Sequence, residues 1–251
     1  MSFKSKVVLV TGSSSGIGAA TAISFAKEGA DVVITGRNEE KLQKVEKLCA
    51  LSGRNPLVIK ADITKNDDVK RIMEETIKRF GKLDILINNA GILRNGTLES
   101  GNALKVYDEV MATNVRAVVN LTNQATPYLI ASKGNIVNIS SVGGRQIRDG
   151  DYTAYSMSKA ALDHFTRGAA IELSKHGVRV NTMSPGPVKT DLFINAGINL
   201  PYEEIGFKTL LNRWGEPEEI ADIILFLASD KAIGVTGSNY TSDNGYLLLK
   251  Y

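Results

Sequence analysis

The 251-residue chain has one cysteine, Cys49, and two histidines, His164 and His176. A lone cysteine rules out a disulfide framework and fits a reducing compartment. So few sulfur and imidazole ligands argue against a zinc centre. No apolar run approaches the roughly 20 residues of a membrane span. Thirty Lys and Arg against 27 Asp and Glu leave a formal charge of +3, too small and too scattered for a nucleic-acid footprint. No Pro-rich or Ser-rich linker and no fixed-period repeat divides the chain, so a single domain over 1–251 is expected. Met1 to Lys6 leads straight into a strand-like segment and is expected to hold no signal peptide. The C-terminus carries no retention or peroxisomal address. What is present is ordinary for a folded chain: 43% hydrophobic and 23% charged residues, with enough length for a sizeable core. A soluble cytoplasmic enzyme or binding protein is the expectation.

The main positive signal is alternation. Short apolar runs recur at 7–10, 32–34, 57–59, 85–87, 136–139 and 178–180, nearly continuous in hydrophobicity as in strands buried on both faces of a parallel sheet. Between them lie segments with helical spacing. Residues 16–28 place Ile17, Ala20, Ile23 and Ala26 on one stripe, and residues 38–50 do the same with Leu42, Val45 and Leu48. Residues 66–80 repeat it with Val69, Ile72, Met73 and Ile77 before Gly81. This rhythm predicts a doubly wound α/β fold with its functional loops along one sheet edge. Two irregular stretches interrupt it, 142–152 and 192–212, and long loops in a compact domain are usually functional or mobile.

The first strand–helix loop reads Thr11-Gly-Ser-Ser-Ser-Gly-Ile-Gly18. Glycines here permit φ > 0 and let a pyrophosphate approach backbone N–H groups at a helix N-terminus. The same residues satisfy G-x-S-x-G, a hydrolase nucleophile elbow with Ser14 as nucleophile. That rival needs a loop histidine, and both histidines fall in helical patterns. Tyr155-Ser-Met-Ser-Lys159 puts a phenol and an ammonium on one helix face, where the cation is expected to lower the tyrosine pKa. Alone, Y-x-x-x-K is weak and more readily describes a surface pair. Its company is Ser140 and Ser141 at a strand end, Asn114 in a helical stretch, and Asn88-Asn-Ala-Gly91 closing the fourth strand.

These ordered motifs, with Asp62 after the third strand, Pro185-Gly186 followed by Thr190, and the run Arg213 to Ala221, resemble the short-chain dehydrogenase/reductase family over essentially the whole chain. The resemblance implies a Rossmann-type sheet of seven parallel strands and hydride transfer between a nicotinamide ring and a carbonyl or alcohol carbon. It implies Tyr155 as general acid or base, Lys159 holding ribose and depressing the tyrosine pKa, Ser141 binding the substrate oxygen, and Asn114 holding a relay water. Ser141 is taken rather than Ser140 because successive strand side chains point to opposite faces. The implied cofactor contacts are Gly12, Ser14, Ser15, Gly16, Ile17, Gly18, Thr35, Arg37, Asn38, Asp62, Ile63, Asn89, Ala90, Gly91, Tyr155, Lys159, Pro185, Gly186, Val188 and Thr190. Relatives are commonly dimers or tetramers built on helices near 102–128 and 153–175. A nucleotide-sensing protein without turnover is the rival on the same fold.

The second strand ends Thr35-Gly36-Arg37-Asn38, with no carboxylate to accept the ribose hydroxyls of NAD(H). Arg37, helped by Thr35 or Asn38, suits a 2′-phosphate, so NADP(H) is expected in preference to NAD(H). Residues 192–212 are expected to form a mobile apolar lid, or alternatively to pack a short helix on the body. The charged loop 143–151 reads equally as solvated or as substrate wall. The family's final DGG stands here as Asp243-Asn244-Gly245.

Overall fold

The computed structural model describes residues 2–147, 149–202 and 204–249. Seven strands, β1 (Val7–Thr11), β2 (Asp31–Gly36), β3 (Leu57–Lys60), β4 (Ile85–Asn88), β5 (Asn135–Ile139), β6 (Arg179–Pro185) and β7 (Asn239–Ser242), form one sheet in the order β3-β2-β1-β4-β5-β6-β7. Every pair is parallel. The strand order reverses between β1 and β4, which opens a crevice at the strand C-terminal ends.

Alternation along β1 explains why the strands read as unbroken apolar runs. Val8 and Val10 face one core, where Phe25, Leu42 and Ile224 lie; Val7 and Leu9 face the other, with Ile72, Leu121 and Leu129. The first layer is α1 (Gly16–Lys27), α2 (Glu39–Ala50) and α7 (Pro217–Ala228). The second is α3 (Asn66–Phe80), α5 (Ala117–Ser132) and α6 (Thr153–Leu173). A short α4 (Ala103–Met111) runs into α5 through a π-helical turn at Ala112–Arg116. This is the Rossmann-type α/β arrangement.

Two predicted stripes are shifted. In α1 the deepest side chains are Thr21, Ala22 and Phe25, with Ile17 and Ile23 only half-buried, because α1 packs against α7 as well as the sheet. In α2 Cys49 takes the place expected for Leu48, which is 47% exposed. Burial pushes the Cys49 thiol up to about 11, so it acts as a small apolar side chain. The polar β7 gives no apolar run in the sequence. Among the described residues no helix is long and apolar enough to cross a membrane.

Candidate active site

The loops at the C-terminal edge enclose a cleft of about 570 Å³. Its first wall is the glycine loop, tied to its neighbours by buried hydroxyls. Thr11 Oγ1 accepts from the N–H groups of Asn89 and Ala90 at 3.0 and 3.1 Å, and Asn89 Nδ2 donates to the Thr11 and Gly12 carbonyls at 2.9 and 3.1 Å. Ser13 Oγ accepts from Thr35 N–H at 2.8 Å, fixing the loop to β2. Gly12 has φ +63°, and a Cβ there would stand 2.8 Å from Ala90 Cα. Gly18 instead answers to packing: its Cβ would lie 2.4 Å from Asn89 Nδ2, and it does not line the cleft.

A dinucleotide fits this wall on three observations. Ser15 is the N-cap of α1, yet its side chain makes no cap hydrogen bond, so the first-turn N–H groups remain available to an anion. Thr35 Oγ1 is buried without a partner. Arg37 lines the cleft and makes no hydrogen bond or ion pair among the described residues. Asp62 and Ile63 line the same end, with Asp62 Oδ1 accepting from Thr64 N–H at 3.0 Å and Thr64 Oγ1 at 2.8 Å. Asn38 is placed elsewhere: its Oδ1 caps α2 by accepting from Lys41 N–H at 3.0 Å, outside the cleft lining.

Opposite, α6 brings Tyr155 and Lys159 into the cleft. Ser141 Oγ accepts from Gly143 N–H at 3.0 Å and hydrogen-bonds Tyr155. Ser140 turns the other way, donating to the Lys159 carbonyl at 3.2 Å and contacting Asp163, as strand alternation requires. Lys159 is 4% exposed, and its Nζ donates to the Ile139 carbonyl at 2.8 Å and lies 5.5 Å from the Tyr155 ring centroid. Burial pulls its pKa down to about 8, with Asp163 opposing. Burial also pushes Tyr155 up, against the Ser141 hydrogen bond. The expected lowering by the lysine is therefore not what this structure has, because the ammonium is engaged with Ile139 and both groups are desolvated.

Asn114 sits in the π turn between α4 and α5. Its Oδ1 accepts from Ile92 N–H at 2.8 Å, and its Nδ2 donates to the Ile92 carbonyl and Ser158 Oγ, both at 3.0 Å. It stands behind Gly91, where an added Cβ would be 3.3 Å from Asn114 Oδ1 and 3.5 Å from Lys159 Nζ. Gly91 thus keeps open the approach between the two.

The far end is apolar and aromatic. Leu93, Val142, Phe193, Ile198, Leu200 and Phe207 line it. Phe193, Tyr202 and Phe207 stack around Trp214 with centroids 5.7, 5.0 and 5.4 Å away. Pro185, Gly186, Val188 and Thr190 form the floor leading there. The charged loop divides: Gly143, Gln146 and Asp149 line the cleft, Arg145 turns away to the Asn239 carbonyl at 3.3 Å, and Arg148 lies outside the described residues. Asn244 takes the left-handed conformation, φ +52°, which asparagine tolerates in a glycine's place. Tyr246 lines the cleft, and Trp214 packs the rings of this wall together without lining it; no site motif marks Tyr246, and Trp214 lies only within the run Arg213 to Ala221. Neither histidine lines the cleft containing Ser14, and His164 contacts Arg167 on α6 instead.

The fold and this cleft define a nicotinamide-dinucleotide type of oxidoreductase scaffold, and sequence comparison agrees. Residues 12–247 match the family model described as enoyl-(acyl carrier protein) reductase. The chain is 36% identical to 3-oxoacyl-[acyl-carrier-protein] reductase FabG of Thermotoga maritima, over 99% of this chain and 100% of the relative. It is 40% identical to glucose 1-dehydrogenase of Gluconobacter oxydans, over 98% and 93%. A short-chain dehydrogenase from Burkholderia cenocepacia, solved in complex with NADP, superposes with TM-score 0.91 at 33% identity, covering 98% of this chain and 100% of that one. The chain belongs to the short-chain dehydrogenase/reductase family and is an oxidoreductase.

Proposed function

We propose that the protein is an NADP(H)-dependent reductase or dehydrogenase acting on a small, apolar carbonyl or alcohol. The observation that carries this is the meeting, in one cleft, of an uncapped α1 N-terminus with a half-buried Tyr155 and Ser141 and a buried Lys159. When bound, the nicotinamide supplies or accepts the hydride. Tyr155 exchanges a proton with the substrate oxygen, which its retained phenol proton suits in the reducing direction. Ser141, already bonded to Tyr155, donates to the same oxygen. Lys159 binds ribose, and Asn114 steadies the proton path beside Gly91. Gly12, Ser14, Ser15, Gly16 and Ile17 take the phosphates, Asp62 and Ile63 the adenine, Asn89 to Gly91 the adenosine-side ribose region, and Pro185 to Thr190 the nicotinamide carboxamide side.

NADP(H) over NAD(H) is supported by Arg37, which follows β2 and has no partner among the described residues, and by the lack of a carboxylate at the β2 end itself. Glu39 is engaged with Lys60 at 2.9 Å. The apolar wall supports a non-polar substrate, and the two relatives named above act on such different molecules that their names do not choose it. We assign residues 192–212 as the lid of this wall. Exposed Leu104, Val119, Met157 and Ile171 on α4, α5 and α6 support self-association through these helices. The test is a ketone and alcohol panel followed by nicotinamide absorbance with each cofactor. Turnover of cyclic or aromatic ketones with NADPH is expected; a preference for NADH or for sugars would overturn the respective half of the assignment.

A further inference from the structure

Lys41 occupies a position that helix electrostatics disfavours. It stands in the first turn of α2, at the positive end of the axial dipole, directly after Glu39 and Glu40. The Asn38 cap takes its backbone N–H, while its ammonium reaches Asp191, 150 residues on, at 2.6 Å. Asp191 is also hydrogen-bonded by Ser15, and these two partners hold its carboxyl below the ordinary range. Ser15 is the N-cap of α1 whose side chain makes no cap hydrogen bond. Asp191, Ser14, Ser15 and Arg37 all line the cleft. A Cβ on Gly36 would stand 3.2 Å from Ser14 Oγ, so Arg37 follows directly on a point of contact with the glycine loop. The Asp191 carboxylate therefore sits among donors suited to a phosphate: a hydroxyl, a helix N-terminus and a cation.

We propose that Lys41 is a cofactor-phosphate ligand held in reserve by Asp191. The ammonium exchanges the carboxylate for a phosphate group and becomes a second cation beside Arg37. The lysine and aspartate side chains are 42% and 31% exposed, so the pair is screened and exchanges readily. The doubly negative pyrophosphate, or a 2′-phosphate monoester, offers more total charge and more acceptor oxygens than one carboxylate, and wins the ammonium once the cofactor is bound. This inference rests on the NADP(H) reading of the same cleft.

The test is calorimetric titration of the full chain with adenosine 5′-monophosphate, adenosine 5′-diphosphate and adenosine 2′,5′-bisphosphate. Lys41→Met is expected to weaken one of the two doubly phosphorylated probes by about three- to tenfold relative to the monophosphate. Loss on the 2′,5′-bisphosphate assigns Lys41 to the ribose phosphate, and loss on the diphosphate assigns it to the pyrophosphate. Asp191→Asn is expected to tighten the same probe by about threefold, since it releases the ammonium and removes a competing anion. A merely structural strap would make both variants weaken all three probes alike. That result, or unchanged affinities in Lys41→Met, overturns the proposal. If the wild type fails to prefer the 2′,5′-bisphosphate to the monophosphate, the NADP(H) reading falls, and the diphosphate still decides the role of Lys41.

Discussion

At one end of the cleft, loops are held to each other by backbone N–H groups donating to Thr11 and Ser13 and by Asn89 donating to backbone carbonyls, under glycines that admit no side chain. At the other end the walls are rings and aliphatic chains gathered around Trp214 from residues 193 to 246. The first end has a geometry that few sequences can build, since each donor answers a particular carbonyl or N–H. The second needs only apolar volume of about the right shape, which many sequences supply. Ligand chemistry shared across a family belongs to the first end, and chemistry that differs among relatives belongs to the second. Tyr155, Ser141 and Lys159 stand at the junction.

The largest effect is expected there. Tyr155→Phe keeps the ring and removes only the transferable proton, so kcat should fall by roughly a thousandfold. The dissociation constant for NADP(H) should stay within about twofold, because the polar network of the first end is untouched. Lys159→Ala should harm both, on the proposal that Lys159 holds the cofactor ribose as well. A phenylalanine variant with wild-type kcat removes Tyr155 from proton transfer.

Lys159 also gives a stability signature of the junction. Its pKa lies near 8 in the folded chain against an ordinary value of 10.5, so the unfolded chain holds the proton more tightly. Folding is opposed by this group below about pH 8, and the opposition fades as pH rises towards 10.5. Tyr155 is shifted upward and works in the opposite sense only above its ordinary value of 10. Urea unfolding at about pH 7 and about pH 10 should therefore show the wild type gaining up to ~3 kcal/mol relative to Lys159→Met. Parallel pH dependences in the two proteins would mean that the ammonium is solvated.

The difference between the ends also decides what the sequence makes legible. The glycine loop, Asn88 to Gly91 and Tyr155 to Lys159 are short and chemically narrow, so each is legible as a local motif although distant residues hold it in place. Strand alternation alone separates the side chains of Ser141 and Ser140. Trp214 and Tyr246 act through distant neighbours, and no spacing rule brings them to Phe193. The upward shift of Tyr155 is not legible in the sequence, because i, i+4 spacing shows a nearby cation, whereas burial and the Ile139 carbonyl that takes the ammonium are tertiary facts. Asn38 has a role its immediate sequence explains, since an asparagine before two glutamates is well placed to cap a helix.

A smaller effect tests whether the first end discriminates cofactors as its unpaired cation suggests. Arg37→Ala should raise KM for NADPH by roughly ten- to a hundredfold and leave that for NADH nearly unchanged, an effect that shrinks with salt. Gly36→Asp should move preference towards NADH. A Cβ at Gly36 would meet Ser14 Oγ at 3.2 Å and Ser14 Cβ at 3.3 Å, so Ser14 must yield by a few tenths of an ångström. Equal weakening of both cofactors in Arg37→Ala would sink the phosphate assignment.

The smallest effect asks whether the two ends are as independent as their construction implies. Phe207 is half-buried, lines the cleft, and lies 5.7 Å from Phe193, 5.4 Å from Trp214 and 5.7 Å from Tyr246. Truncation to alanine removes part of a wall whose other rings remain, a loss of about 1 kcal/mol of apolar contact for a substrate seated against it. KM for a compact ketone such as cyclohexanone should rise about threefold to tenfold, and a bulkier bicyclic ketone should gain relative to it, because the cleft is enlarged on that side. NADP(H) affinity should not move, since Phe207 makes no contact with the network of Thr11, Ser13 and Asn89. A matched loss of cofactor affinity would show that the aromatic wall supports the phosphate end through the segment between Thr190 and Trp214. The cleft would then be one unit, with substrate selectivity no longer free to vary apart from cofactor binding.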